Sequence, residues 1–155
     1  MKLEGTKEFD APREVVWSVI NDPAKMAKTM PGVESFEIAD DRHWSAKVKV
    51  PLGLGGLKMS ISFTKLEERP LEFASLNAKG QGVGALMNMT TSFTLSGEGE
   101  KTSMAWEADV KIAGPVGSMG QRVLQPIVNQ QVQHVLTALD EQVHKAQADG
   151  SAAAS

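Results

Sequence analysis

The side chains able to do chemistry in this chain are few and scattered. Histidines stand at His43, His134 and His144, and no two have the spacing of ligands to one metal ion. There is no cysteine, which excludes disulfides and thiolate metal sites. The adjacent acids Asp40-Asp41 and Glu67-Glu68 fall at strand ends, where neighbouring residues point to opposite faces. That is poor geometry for a pair of carboxylates sharing one proton transfer. No serine sits in a nucleophile elbow. Gly53-x-Gly55-Gly56 and Gly80-x-Gly82-x-Gly84 do not follow the G-x-G-x-x-G order and join strand to strand, so they read as connections and not as phosphate loops. The chain is rich instead in soft apolar groups: seven internal methionines (Met26, Met30, Met59, Met87, Met89, Met104, Met119), three tryptophans (Trp17, Trp44, Trp106) and no tyrosine. Methionine serves adaptable binding surfaces and also fills irregular cores, so both readings stay open.

The elements that must position these residues follow from periodicity. Leu3 to Phe9 reads as a strand. Asp10-Ala11-Pro12 reads as a helix start, with Asp10 as N-cap and Pro12 in the first turn. The apolar Val15, Val16, Val19 and Ile20 make that helix short, and Asn21-Asp22-Pro23 ends it and opens a second helix through Lys28. From Val33 the period changes from about 3.6 to 2. Strands are expected over Val33 to Ala39, His43 to Val50, from Leu57, over Leu71 to Lys79, from Met87 to Leu95 and from Met104 to Ile112, joined by turns at Asp40-Asp41, Leu52 to Gly56, Arg69-Pro70, Gly80 to Gly84 and Gly97 to Glu100. Gly114-Pro115 breaks the sheet and starts a long helix reaching about Ala146, with Pro126 inside it as a bend. Its apolar arc includes Val116, Met119, Val123, Leu124, Ile127, Val128, Val135, Leu139 and Val143.

This order predicts an α+β domain over residues 1–146, followed by a disordered tail, 147–155. The expected architecture is a seven-stranded antiparallel sheet wrapped around the long C-terminal helix, with two short helices between strands 1 and 2. A twisted sheet gripping one helix leaves room for a cavity between them. The inward faces give its candidate lining: Trp17, Met30, Trp44, Val48, Met59, Ile61, Phe63, Phe73, Met87, Met89, Phe93, Met104, Trp106, Met119, Val123 and Ile127. Gln131 lies inside the helix's apolar arc, between Leu124, Ile127 and Val135. A buried amide needs partners; its reading is either a bond to nearby backbone or a donor to a ligand carbonyl. Arg122 reads as a partner for a carboxylate, on this chain or another.

Composition bounds the partners. The net charge is −3, so nothing suggests a basic nucleic-acid footprint or purely electrostatic adhesion to an anionic membrane. No apolar run spans a bilayer and no signal-peptide core follows Lys2, so a cytoplasmic protein is expected.

Three stretches carry a resemblance. Phe9-Asp10-Ala11-Pro12-x-x-x-Val16-Trp17 resembles the opening of START-like helix-grip domains. Asn21-Asp22-Pro23 with Met30-Pro31-Gly32-Val33-Glu34-Ser35, and Trp106-Glu107-Ala108-Asp109-Val110 followed by Gly114-Pro115-Val116 and Gln121-Arg122, are similar to the CoxG family of carbon monoxide dehydrogenase proteins. The resemblance implies a helix-grip fold and a non-catalytic partner of a molybdenum hydroxylase of the carbon monoxide dehydrogenase type, with no tightly bound cofactor. It further implies recruitment to the cytoplasmic membrane face and a menaquinone or ubiquinone carried in the apolar cavity. Some members have a long C-terminal extension with an apolar end. This chain has a short Ala/Ser tail, which leaves transient membrane contact through Leu52, Leu54 and Leu57 as the expectation. An adaptor without ligand is the alternative, and a hydrolase or cyclase a third reading.

Overall fold

Alternation sets the sheet. In the computed structural model, which describes residues 2–30, 32–50, 56–82 and 84–154, β1 (Lys2–Phe9) is followed by α1 (Arg13–Ile20) and α2 (Pro23–Ala27). Six strands come next: β2 (Val33–Ile38), β3 (His43–Val50), β4 (Leu57–Arg69), β5 (Phe73–Gly82), β6 (Ala85–Ser96) and β7 (Thr102–Ala113). A single 3-10 turn (Gly117–Met119) leads to α3 (Gln121–Ala154). The seven strands form one antiparallel sheet in the order β1-β7-β6-β5-β4-β3-β2. Hairpins make the meander β2 to β7, and β1 returns to pair with β7, with Gly5 opposite Trp106. The expected element order and helix-grip architecture are thus present.

Local chemistry shifts several boundaries. α1 begins at Arg13 and not at Asp10. Pro12 occupies the cap position at φ −68°, ψ 160°, and no side chain caps the helix. A proline also disfavours the helical conformation in the residue before it, so the helix cannot start earlier. α2 is capped as its sequence suggests: Asp22 accepts the Ala24 N–H at 2.9 Å, with Pro23 in the first turn. α3 starts at Gln121, seven residues after Gly114, because Gly120 at φ +87° breaks the chain between the 3-10 turn and the helix. At its other end it continues past the expected stop near Ala146 to Ala154. The alanines of that segment are strong helix formers and no proline interrupts them.

β4 carries a bulge. Lys65 pairs with Leu76, but Glu67 pairs with Ser75, so one residue is extra between them. Inward positions are odd before the bulge (Met59, Ile61, Phe63) and even after it. Lys65 stands at the changeover and donates from Nζ to Asn21 Oδ1 at 2.8 Å and to the Asn21 carbonyl at 3.2 Å. A cation at the C-terminal end of α1 complements the helix dipole.

Two apolar clusters hold the domain. One joins Phe9, Val16, Val19, Ile20, Leu95, Met104, Leu139 and Val143, and so ties α1 and α3 to β1, β6 and β7. The other lies on β3 to β6, around Trp44, Ala46, Val48, Met59, Ile61, Phe63, Ala78 and Ala85. Trp44 and Phe63 stack there, cross-strand, with ring centroids 5.7 Å apart and planes at 9°. At the first cluster's edge Thr102, 1% exposed, donates to the Ala11 carbonyl at 2.7 Å and pins the turn before α1 to β7. Thr102→Val keeps the shape and strands that carbonyl in a dry site. Urea unfolding should show a loss of about 1–2 kcal/mol; an unchanged midpoint would mean that water satisfies Ala11.

Candidate functional site

Between the sheet and α3 lies a cavity of about 310 Å³. It exists because α3 packs its backbone most closely on α1, at one end of the sheet, while its apolar stripe Leu124, Ile127, Val128, Val132, Val135 and Leu136 faces the sheet across the cavity. The facing wall comes from alternate residues of β3 to β7. Met26, Thr29 and Met30, in and after α2, close one side.

The lining is almost wholly apolar, and it contains no charged side chain. Its polar groups are Thr29, Thr91, Gln131 and the Trp106 indole. Two of these are already committed: the Thr29 hydroxyl donates to the Met26 carbonyl at 2.6 Å, and the Thr91 hydroxyl to the Glu107 carbonyl at 2.7 Å. Gln131 is half-buried, lines the cavity, and makes no side-chain hydrogen bond among the described residues. Its amide therefore fits the ligand-donor reading better than the backbone one. The buried Trp106 Nε1–H also has no acceptor among the described residues. It lies against Gly5, where a Cβ would stand 3.0 Å from Nε1 and 2.7 Å from Cζ2. Only a glycine opposite Trp106 leaves room for the indole to lie on β1.

Twelve of the candidate lining residues meet in this cavity: Met30, Trp44, Val48, Met59, Ile61, Phe63, Met87, Met89, Phe93, Trp106, Ile127 and Gln131. Five do not. Met104 is fully buried in the cluster under α1, and Trp17 packs half-buried against the same cluster. Phe73 lies on the solvent side of β5, with the Arg69 guanidinium 4.8 Å above its ring. β5 turns Ala74, Leu76 and Ala78 inward, opposite Phe93, Thr91 and Met89. Its small and polar residues hide that phase in the sequence. Met119 is 45% exposed because it sits in the 3-10 turn, and Val123 is 43% exposed on the outer side of the first turn of α3. Lining residues the candidate set lacks include Met26 and Thr29 of the α2 region, and Leu76, Ala78, Thr91, Ala108 and Val110 of the sheet. Strand alternation places Thr91, Ala108 and Val110 inward. Nothing in the sequence marks α2 as a wall.

The remaining polar candidates lie elsewhere. His134, His144 and Arg122 are exposed on α3. His43 pairs with Asp40 at 3.0 Å in the exposed β2–β3 turn. The Arg42 N–H first, and His43 second, hold the Asp40 carboxyl below its ordinary range. This is turn chemistry, far from the cavity. Among the described residues no cluster of His, Asp or Glu could hold a metal ion, and no helix is long and apolar enough to cross a membrane. The membrane contact expected at Leu52 and Leu54 falls outside the described residues, and the side chain of Leu57 does as well.

No curated protein matches the chain. Among solved structures, a conserved protein from Geobacillus kaustophilus superposes with a TM-score of 0.86 at 20% identity, covering 94% of this chain and 97% of the other. A START superfamily protein from Mycobacterium smegmatis gives 0.70 at 15% identity, covering 93% and 97%. The Zhui aromatase/cyclase of Streptomyces sp. R1128 gives 0.70 at 16% identity, covering 94% of each chain. These likenesses establish a START-like fold. Residues 5–144 match the carbon monoxide dehydrogenase family CoxG, and the chain belongs to that family.

Proposed function

We propose that the protein is a non-catalytic carrier, which holds an apolar ring compound in the cavity and serves a carbon monoxide dehydrogenase at the cytoplasmic membrane face. The observation that carries this reading is the cavity wall, apolar throughout and without a charged group. A quinone is the ligand class proposed, menaquinone or ubiquinone. The cavity volume suits its ring and the start of its tail. A longer tail would leave at the end bounded by Val50, Ile112, Val116 and Leu124. Burying about 300 Å² of such a ligand yields roughly 7–8 kcal/mol before ordering costs. That corresponds to dissociation constants of about 1–10 μM at best, with Gln131 adding one hydrogen bond to a ring carbonyl.

The test is quenching of tryptophan fluorescence by a short-chain menaquinone or ubiquinone, since Trp44 and Trp106 line the cavity. Saturable quenching is expected. Gln131→Ala should weaken binding about fivefold, and Val132→Trp, which fills the cavity, should abolish it in a chain that still melts cooperatively. Unchanged affinity in Gln131→Ala removes the anchor. No binding at about 100 μM, more than tenfold above the expected constant, removes the carrier and leaves the adaptor. A structural neighbour is an aromatase/cyclase, so turnover of a bound aromatic by the purified protein would overturn the non-catalytic reading.

A further inference from the structure

The solvent face of the sheet separates charge in a way the chain order conceals. Register aligns Lys47, Ser60, Gln81 and Leu86 across β3 to β6. The next outward row is Ser45, Ser62, Lys79, Asn88 and Lys111, and on the other side Lys49 stands directly opposite Lys58. The five lysines are exposed, and none joins an ion pair found among the described residues. No Asp or Glu occupies these rows on β3 to β7. The nearest carboxylates on this face are Glu37, at the β2 edge opposite Ser45, and Asp109, one row further on. Leu86, 52% exposed, stands among them. The patch spans about 19 Å from β3 to β7, within one partner's share of a standard interface.

Folding does not favour this arrangement. Like charges directly opposite on neighbouring strands destabilise a sheet, and a chain of net charge −3 has carboxylates to spare. We infer that this face docks a carboxylate-rich protein surface, that of the carbon monoxide dehydrogenase the chain serves. The inference rests on that part of the proposed function. Between the lysines stand Ser60, Ser62, Gln81 and Asn88, short hydrogen-bonding side chains suited to a protein interface. Membrane adhesion takes several apolar side chains inserted beside the basic ones, and Leu86 is alone here.

The experiment measures binding of the full chain to immobilised carbon monoxide dehydrogenase holoenzyme, with phosphatidylglycerol vesicles as a second surface. The charge-reversed variant is Lys47→Glu, Lys58→Glu, Lys79→Glu. The control carries the same charge change at distant exposed sites, Lys28→Glu, Lys101→Glu, Lys145→Glu. Native chain should bind, weakening about tenfold between roughly 0.05 and 0.3 M salt, and the face variant should lose about 30-fold or more while the control loses little. Quinone binding by each variant verifies folding. Equal loss in both variants, or none in the face variant, overturns the assignment of this face and leaves the partner standing. No binding by the native chain overturns the partner and the inference together. Loss confined to vesicle binding gives the face to a lipid surface and overturns the inference.

Discussion

Met104→Ala should lower the unfolding free energy by about 3 kcal/mol, within the range for emptying a dry core site, and leave ligand affinity unchanged. Met104 is fully buried, opposite Leu95 on β6 and within the cluster of Phe9, Val16 and Leu139. Its neighbours are fixed by a strand pair on one side and by the α1–α3 packing on the other, so they cannot collapse into the space. The thioether does not reach the cavity. The melting temperature should fall by about 9 °C for a domain of this size. The measurement pairs urea unfolding with quinone titration at a temperature where the variant is folded. A matching drop in affinity would show that the closed cluster and the cavity act as one unit.

Gly5→Val should cost about 2 kcal/mol, despite the better strand propensity of valine. The added Cβ would stand 2.7 Å from Trp106 Cζ2 and 2.9 Å from Cε2, closer than atoms can sit. β1 is held in place by its pairing with β7, so the indole must swing away from Gly5, and the space open to it is the cavity. Ligand affinity should fall with stability, in contrast to Met104→Ala. Trp106 fluorescence should shift as the ring leaves its seat. A variant with native stability and affinity would mean that β1 and β7 separate locally, and that the glycine is not needed.

These two sites show where reading the sequence stops. Met104 and Trp106 both belong to the inward face of β7, and alternation alone makes them equivalent. Tertiary packing separates them: α1 and α3 close over the Met104 end, while α3 stands away from the sheet beside Trp106. Strand alternation is a local property, set by backbone geometry every two residues, so β3, β6 and β7 were legible from residue types. The α3 stripe from Leu124 to Leu139 was legible for the same reason at a period of 3.6. Phase was lost where side chains are small and mixed, as in β5, and Phe73 was misplaced by one position. Helix starts were lost where Pro12 and Gly120 decide backbone conformation over short distances.

By itself, then, the sequence determined the element order, the hydrophobic faces and the family resemblance, because each is written in neighbouring residues. Tertiary structure decided what lies between those faces. It split the apolar interior into a closed cluster and a cavity, turned α2 into a wall, and left the Gln131 amide facing the lumen. It also gathered lysines from β3, β4, β5 and β7 onto one face of an acidic protein. Net charge sums over the chain and cannot show this. Sheet register sorts charges in space, joining residues up to 64 positions apart, from Lys47 to Lys111.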